Sequence, residues 1–232
     1  MIKKIIASVA IILASACAFA QESYTVKMNM KIEGLPPEYA GFGEQEMVNY
    51  IKGDKYKTEM TSMMGSNTTA FDGKKLTQIN EAMGEKSGYT ATKEEIDAKK
   101  ADKVETKPKV EYTTEKKMIA GYECTKAIVT SIGKDKKESK INVWITEKIK
   151  NPQSKSKARG QSMDLGDLKG YPLEIAMSQN QGGMEMKILI TSTEVLTSNI
   201  EDTVFNVNTE GYKMLTYKEH QEKIEAQALK GK

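Results

Sequence analysis

The chain has 232 residues, a formal net charge of +3, and 29% charged residues against 6% aromatic ones. That length suits one domain with a modest core under a solvated surface. Of the 35 basic residues only Arg159 is an arginine, so the bidentate forks that read guanine and phosphate are missing and a nucleic-acid partner is disfavoured.

Residues 1–20 read as a secretory signal peptide. Lys3 and Lys4 make a basic start, the apolar stretch after them is too short to span a bilayer, and Ala18 and Ala20 fit a cleavage site before Gln21. Within it, Leu13-Ala14-Ser15-Ala16-Cys17 has the form of a bacterial lipoprotein cleavage box, with Ala14 where a larger aliphatic is expected. Cleavage after Ala20 gives a periplasmic or secreted protein; lipidation at Cys17 gives an outer-membrane lipoprotein. Loss of residues 1–20 leaves 33 basic residues against 32 acidic, and implies no polyanionic partner. Cys124 is then the sole cysteine, so no intramolecular disulfide forms even in an oxidising compartment.

From Tyr24 to Ile32 apolar and polar residues alternate, the pattern of a half-buried strand. A second strand ends at Lys52, turns through Gly53-Asp54 and returns from Lys55 to Met63; Thr68–Phe71 and Leu76–Ile79 flank the turn Asp72-Gly73-Lys74-Lys75, and Tyr89–Thr92 completes a meander. Thr92-Lys93-Glu94-Glu95 is a capping box that predicts a helix over about 93–103, stopped by Lys107-Pro108. Strands follow at Ala120–Ser131 and Ser139–Thr146, joined by the turn Gly133-Lys134-Asp135-Lys136. Trp144 falls on the face opposite Ile141, Val143 and Ile145, and the C-terminal helix, opened by a second capping box at Thr216 and running over about 217–228, is expected to cover it. Asn151 to Ser162 has no periodicity and reads as a loop; Leu173/Ile175/Met177 and Met184/Met186/Ile188/Ile190 form a hairpin. Residues 21–232 are expected to be a single, mainly β domain.

Chemistry is sparse in this pattern. Walker, dinucleotide, zinc-protease and nucleophile-elbow motifs are absent, the acids sit in alternating Lys/Glu faces, and no cofactor is implied. Cys124 lies in a strand-like run as a small hydrophobe, and the one histidine, His220, belongs to a polar helix, so a cysteine nucleophile lacks an evident base. An enzyme is not expected. The 14 methionines are the feature closest to a function. Met28, Met30, Met60, Met177, Met184 and Met186, with Ile188, fall on predicted inward faces. Flexible thioethers there either reshape around an apolar guest or fill a core poor in Leu and Phe; the pairs Met28-x-Met30 and Met184-x-Met186 also offer soft donors to Cu(I).

The segments Tyr50-Ile51-Lys52-Gly53-Asp54-Lys55, Phe71-Asp72-Gly73-Lys74-Lys75-Leu76, Ile119 to Cys124, Val143-Trp144-Ile145-Thr146 and Gly170 to Glu174, in this order behind a signal peptide, resemble domain of unknown function family 4412, exported proteins found mainly in Bacteroidetes. That family is similar in turn to the LolA/LolB lipoprotein carriers. The resemblance implies a curved antiparallel sheet, a half-barrel with helices over its apolar concave side. It implies no release role, since Lys55-Tyr56-Lys57 stands where the carriers have a functional arginine. It also makes Asp202-Thr203-Val204 an acceptor pattern for O-glycosylation at Thr203. Three readings follow: an envelope binding protein with a Met-lined concavity for a lipid or other hydrophobic ligand, an envelope structural or interaction module with a filled core, or a periplasmic copper chaperone.

Overall fold

The alternation from Tyr24 folds as β1 (Ser23–Glu33), whose burial alternates with the same period. The structure, a computed structural model, describes residues 22–37, 39, 43–63, 65–101, 107–132, 138–152, 165–181 and 184–230. The signal peptide with Cys17, the turn at 133–136 and residues 153–162 of the expected loop lie outside the described residues. After β1 come β2 (Glu44–Lys52), β3 (Lys55–Ser62), β4 (Gly65–Phe71), β5 (Lys75–Ala82) and β6 (Glu85–Thr92), then helix α1 (Lys93–Ala101). The second half holds β7 (Lys109–Ile119), β8 (Tyr122–Ile132), β9 (Glu138–Thr146), β10 (Tyr171–Gln181) and β11 (Met184–Thr197). A 3-10 turn (Asp202–Phe205), β12 (Lys213–Leu215) and helix α2 (Tyr217–Lys230) complete it.

All twelve strands form one curved, open sheet in the order β12-β6-β5-β4-β3-β2-β1-β11-β10-β9-β8-β7. Two meanders of neighbouring strands run outward from a central seam where β1 pairs antiparallel with β11, Tyr24 opposite Thr197 and Ile32 opposite Ile188. The edges β12 and β7 do not meet, so the form is that of a half-barrel. Every pairing is antiparallel except β12 on β6.

One sheet face carries the core. Val26, Ala127, Val129, Val143, Ile149 and Leu173 are its most enclosed members, and a second cluster of Tyr56, Phe71, Leu76, Tyr89 and Ala91 is roofed by Ile96 of α1 and by Tyr217. Both capping boxes are closed: the Thr92 amide donates to Glu95 Oε2 at 2.8 Å and the Glu95 amide to Thr92 Oγ1 at 3.2 Å. At α2 the Thr216 amide donates to Glu219 Oε2 at 2.8 Å.

The chain after β11 straps the outer face. Lys52 and Lys55 grip Asp202 at 2.9 and 2.7 Å, Lys52 Nζ also donates to the Ile200 carbonyl, and the two ammonium groups hold the Asp202 carboxyl down at about 2. Further on, Tyr212 Oη donates to Glu81, β12 adds beside β6, and α2 folds back onto Tyr89 of the inner face.

One expectation needs correction, and two strands were not predicted. The helix does not cover Trp144: α2 packs against β6 and β12, whereas Trp144 lies on β9, its ring capped by the ammonium groups of Lys117 at 4.4 Å and Lys126 at 6.0 Å. Strand β7 was not expected, because a register shift between Tyr112 and Lys116 breaks its period of two and Lys and Glu dominate it. Three-residue β12 is too short for any periodic signal. Thr203 sits in the 3-10 turn and is exposed there.

His220 ties α2 to the sheet by stacking on Tyr89, ring centroids 3.7 Å and planes 11° apart. Burial first, and Lys223 second, hold its pKa below the ordinary 6.5. The docked helix therefore favours the neutral ring, and docking is at full strength above pH 6.5 and weakens as pH falls through that value to the lower folded pKa. Amide exchange across α2, corrected for intrinsic rates, should lose protection on the acid side of that pH, and His220→Phe, which keeps a stacking ring without a titrating group, should remove the dependence. Equal acid sensitivity in both proteins would show that another group is responsible.

Candidate functional site

The β3–β4 and β5–β6 turns mark one end of the sheet, and burial on the inner face changes along the strands toward it. At the opposite end the row Tyr24, Ile51, Tyr56, Phe71, Leu76 and Ala91, paired strand to strand, is fully buried. Toward the turns the inner residues become half-buried: Met30 and Ile32 on β1, Met47 on β2, Met60 on β3, Met177 on β10, and Met186 and Ile188 on β11. The closed end is a filled core, whereas the turn end, its mouth, is only half-buried.

Cross-strand register sorts the inner face into two walls. Met30 faces Ile190, Ile190 faces Ile175, and Ile32 faces Ile188, which faces Met177; this wall is apolar. On the other side Asn49, Thr58, Thr69 and Gln78 stand opposite one another across β2 to β5, followed nearer the mouth by Met47, Met60, Asn67 and Asn80. The Thr58 hydroxyl donates to Asn49 Oδ1 at 2.7 Å, and the Asn49 amide donates to Met28 Sδ at 3.3 Å. Every described inner-facing residue of β1 to β5 and of β9 to β11 is uncharged. The charges of these strands point outward, and Lys27, Lys57, Glu81, Glu174 and Glu194 pair there, as in Lys27–Glu194 at 2.7 Å.

The methionines named from the sequence do not share one environment. Met28 is only 4% exposed and its sulfur is engaged by Asn49, so it belongs to the core and not to the mouth. Met30, Met60, Met177 and Met186 are half-buried with Ile188, while the side chain of Met184 lies outside the described residues. Met47 was missed: it stands between Met28 and Met60 in register, a neighbour relation that only strand pairing creates. Two further methionines, Met63 and Met83, are 84% and 80% exposed on adjacent turns, where they border a shallow hollow of about 420 Å³ with Ser62, Gly65, Glu81 and Gly84.

Cys124 is fully buried, and burial, only partly offset by Lys117, pushes its thiol up to about 11. It is protonated and inaccessible, the opposite of what a nucleophile needs. Among the described residues no three of His, Cys, Asp and Glu cluster as metal ligands, and no helix is long and apolar enough to cross a membrane.

No protein-family model and no curated protein sequence matches the chain, and the resemblance to family 4412 is not confirmed. Solved structures are similar in outline. An uncharacterised conserved protein from Thermus thermophilus shares 9% identity at TM-score 0.48, over 84% of this chain and 91% of that one. PNGF-II shares 14% at TM-score 0.44 over 87% of this chain, which spans 32% of its length. The Mycobacterium tuberculosis lipoprotein LppX shares 12% at TM-score 0.35, over 73% of this chain and 84% of that one.

Proposed function

We propose that the protein is a non-enzymatic binding protein of the cell envelope that holds a hydrophobic or amphiphilic ligand in the mouth of its half-barrel. The observation that carries this reading is the half-buried, charge-free inner face at the turn end, lined by Met30, Met177, Met186 and Ile188, in a chain with 29% charged residues. Apolar side chains left partly wet on a concave surface gain from any guest that removes them from water, and unbranched thioethers adapt to its shape. The compartment rests on the signal peptide read in residues 1–20.

The test is fluorescence of N-phenyl-1-naphthylamine with the purified full chain. Saturable enhancement is expected, and exchanging Met177 and Met186 together for leucine should change probe affinity while costing less than about 1.5 kcal/mol of stability, since volume is conserved. The packed closed end favours one other reading, an envelope interaction module with a filled core, and a wild-type protein that binds no probe would establish it. The envelope reading also makes the exposed Thr203 a glycan acceptor; peptides from the native host that carry only unmodified Thr203 would refute that part.

A further inference from the structure

Among the described residues, the exposed large apolar side chains gather at one end of the sheet. Tyr39 lies between β1 and β2, Met63 between β3 and β4, Met83 between β5 and β6, and Ile132 closes β8; Tyr39 is 51% exposed, Ile132 56%, and the two methionines more. Register puts all four at the turn end, since Glu33 pairs with Lys187, Ser62 with Gly65, Ala82 with Glu85, Met177 with Ile141 and Ile132 with Glu138. The others, Met118, Leu189, Leu196 and Ile224, are scattered over the opposite end, the outer face and α2. Met83 is moreover held at φ +53°, in a two-residue turn with Gly84. Such a turn favours asparagine or glycine, and packing inside the fold does not explain a methionine exposed there.

We propose that the turn end docks on a zwitterionic lipid bilayer, with Met63 and Met83 dipping among the acyl chains and Tyr39 at headgroup level. Two observations choose this occupant. The tips belong to separate connections, and the hollow between Met63 and Met83 is lined by Ser62, Gly65 and Gly84. A protein finds no continuous patch there, whereas a fluid lipid surface closes around separate points at one level. The charges then decide the kind of lipid. The four connections with their flanks, residues 33–44, 62–65, 81–86 and 132–138, hold seven acids against four lysines. Lys86 is taken up by Glu81 at 3.4 Å. Nothing in this balance attracts an anionic surface. The docking needs no ligand in the mouth, so it stands or falls separately from the binding reading.

The experiment is flotation with phosphatidylcholine vesicles of the chain from Gln21, which keeps every described residue and leaves out the apolar residues 1–20. Wild type is expected to float with the vesicles. Exchanging Met63 and Met83 together for glutamine should lower lipid affinity about tenfold or more, and exchanging both for leucine should keep it. Both side chains are exposed, so neither pair disturbs the fold, and N-phenyl-1-naphthylamine binding without vesicles should be unchanged. Leu189→Gln with Leu196→Gln, on the outer face of β11, should leave flotation as it was. Replacing a third of the phosphatidylcholine by phosphatidylglycerol should not raise it. Wild type that does not float, a glutamine pair at 63 and 83 that floats equally well, a loss caused by the outer-face pair, or binding that requires phosphatidylglycerol overturns the inference. A wild-type dimer that the same glutamine pair dissociates in sedimentation, without flotation, assigns the rim to a second copy of the chain and overturns it too.

Discussion

Replacing Leu173 with alanine should destabilise the protein by about 2–5 kcal/mol, the cost of a cavity in a close-packed interior. Leu173 is completely buried in the main core, beside Val143 and Ile145 of the adjoining strand. Met186→Ala, at the half-buried mouth, should cost less than about 2 kcal/mol, because part of the lost surface was never removed from water. Urea unfolding of the two variants measures the contrast directly. Equal losses would mean that the turn end is packed like the closed end, and the binding reading would fall with the mouth.

A second large loss is expected from Gly65→Ala. Gly65 opens β4 at φ +143°, and a Cβ there would lie 1.8 Å from the Glu81 carbonyl oxygen of β5, a contact that only backbone movement relieves. Conformation and collision add, and about 3 kcal/mol or more should be lost, lowering Tm by at least about 6 °C in a chain of this size. Gly84→Ala on the neighbouring turn is the control: φ is +82° but no atom lies within 4 Å, so only the left-handed conformation opposes the change, at about 1–2 kcal/mol. Equal Tm shifts would show that the β4–β5 contact has no part in the effect.

Much of the architecture was legible because the first meander carries local signals. Alternation from Tyr24 to Ile32, the turn residues at Gly53-Asp54 and Asp72-Gly73, and the capping boxes at Thr92 and Thr216 are local signals, and the structure follows them. The misses have one origin. Trp144 was assigned to the C-terminal helix because both wanted a partner, but α2 is fixed by β12 and Tyr89 to the far edge of the sheet, and lysine stems from neighbouring strands cover the indole instead. Met47 and the Asn49–Thr58–Thr69–Gln78 row were invisible for a related reason. Asparagine, threonine and glutamine say nothing singly; they become a wall when four strands bring them into register. The inner methionines were legible as inward-facing, whereas the difference between buried Met28 and half-buried Met30, two residues apart, depends on what lies across the sheet.

The seam between β1 and β11 also sets the order of events in the life of the chain. Each meander can assemble from neighbours as it emerges, but the ladder that unites them pairs Tyr24 with Thr197, and that contact must wait for nearly the whole polypeptide. Such long-range closure is slow. Until it happens β1 is a bare edge with Val26 and Met28 uncovered, open to wrong pairings. A polypeptide with its middle completed last stays open while it is being made and becomes rigid only when β11 closes on β1.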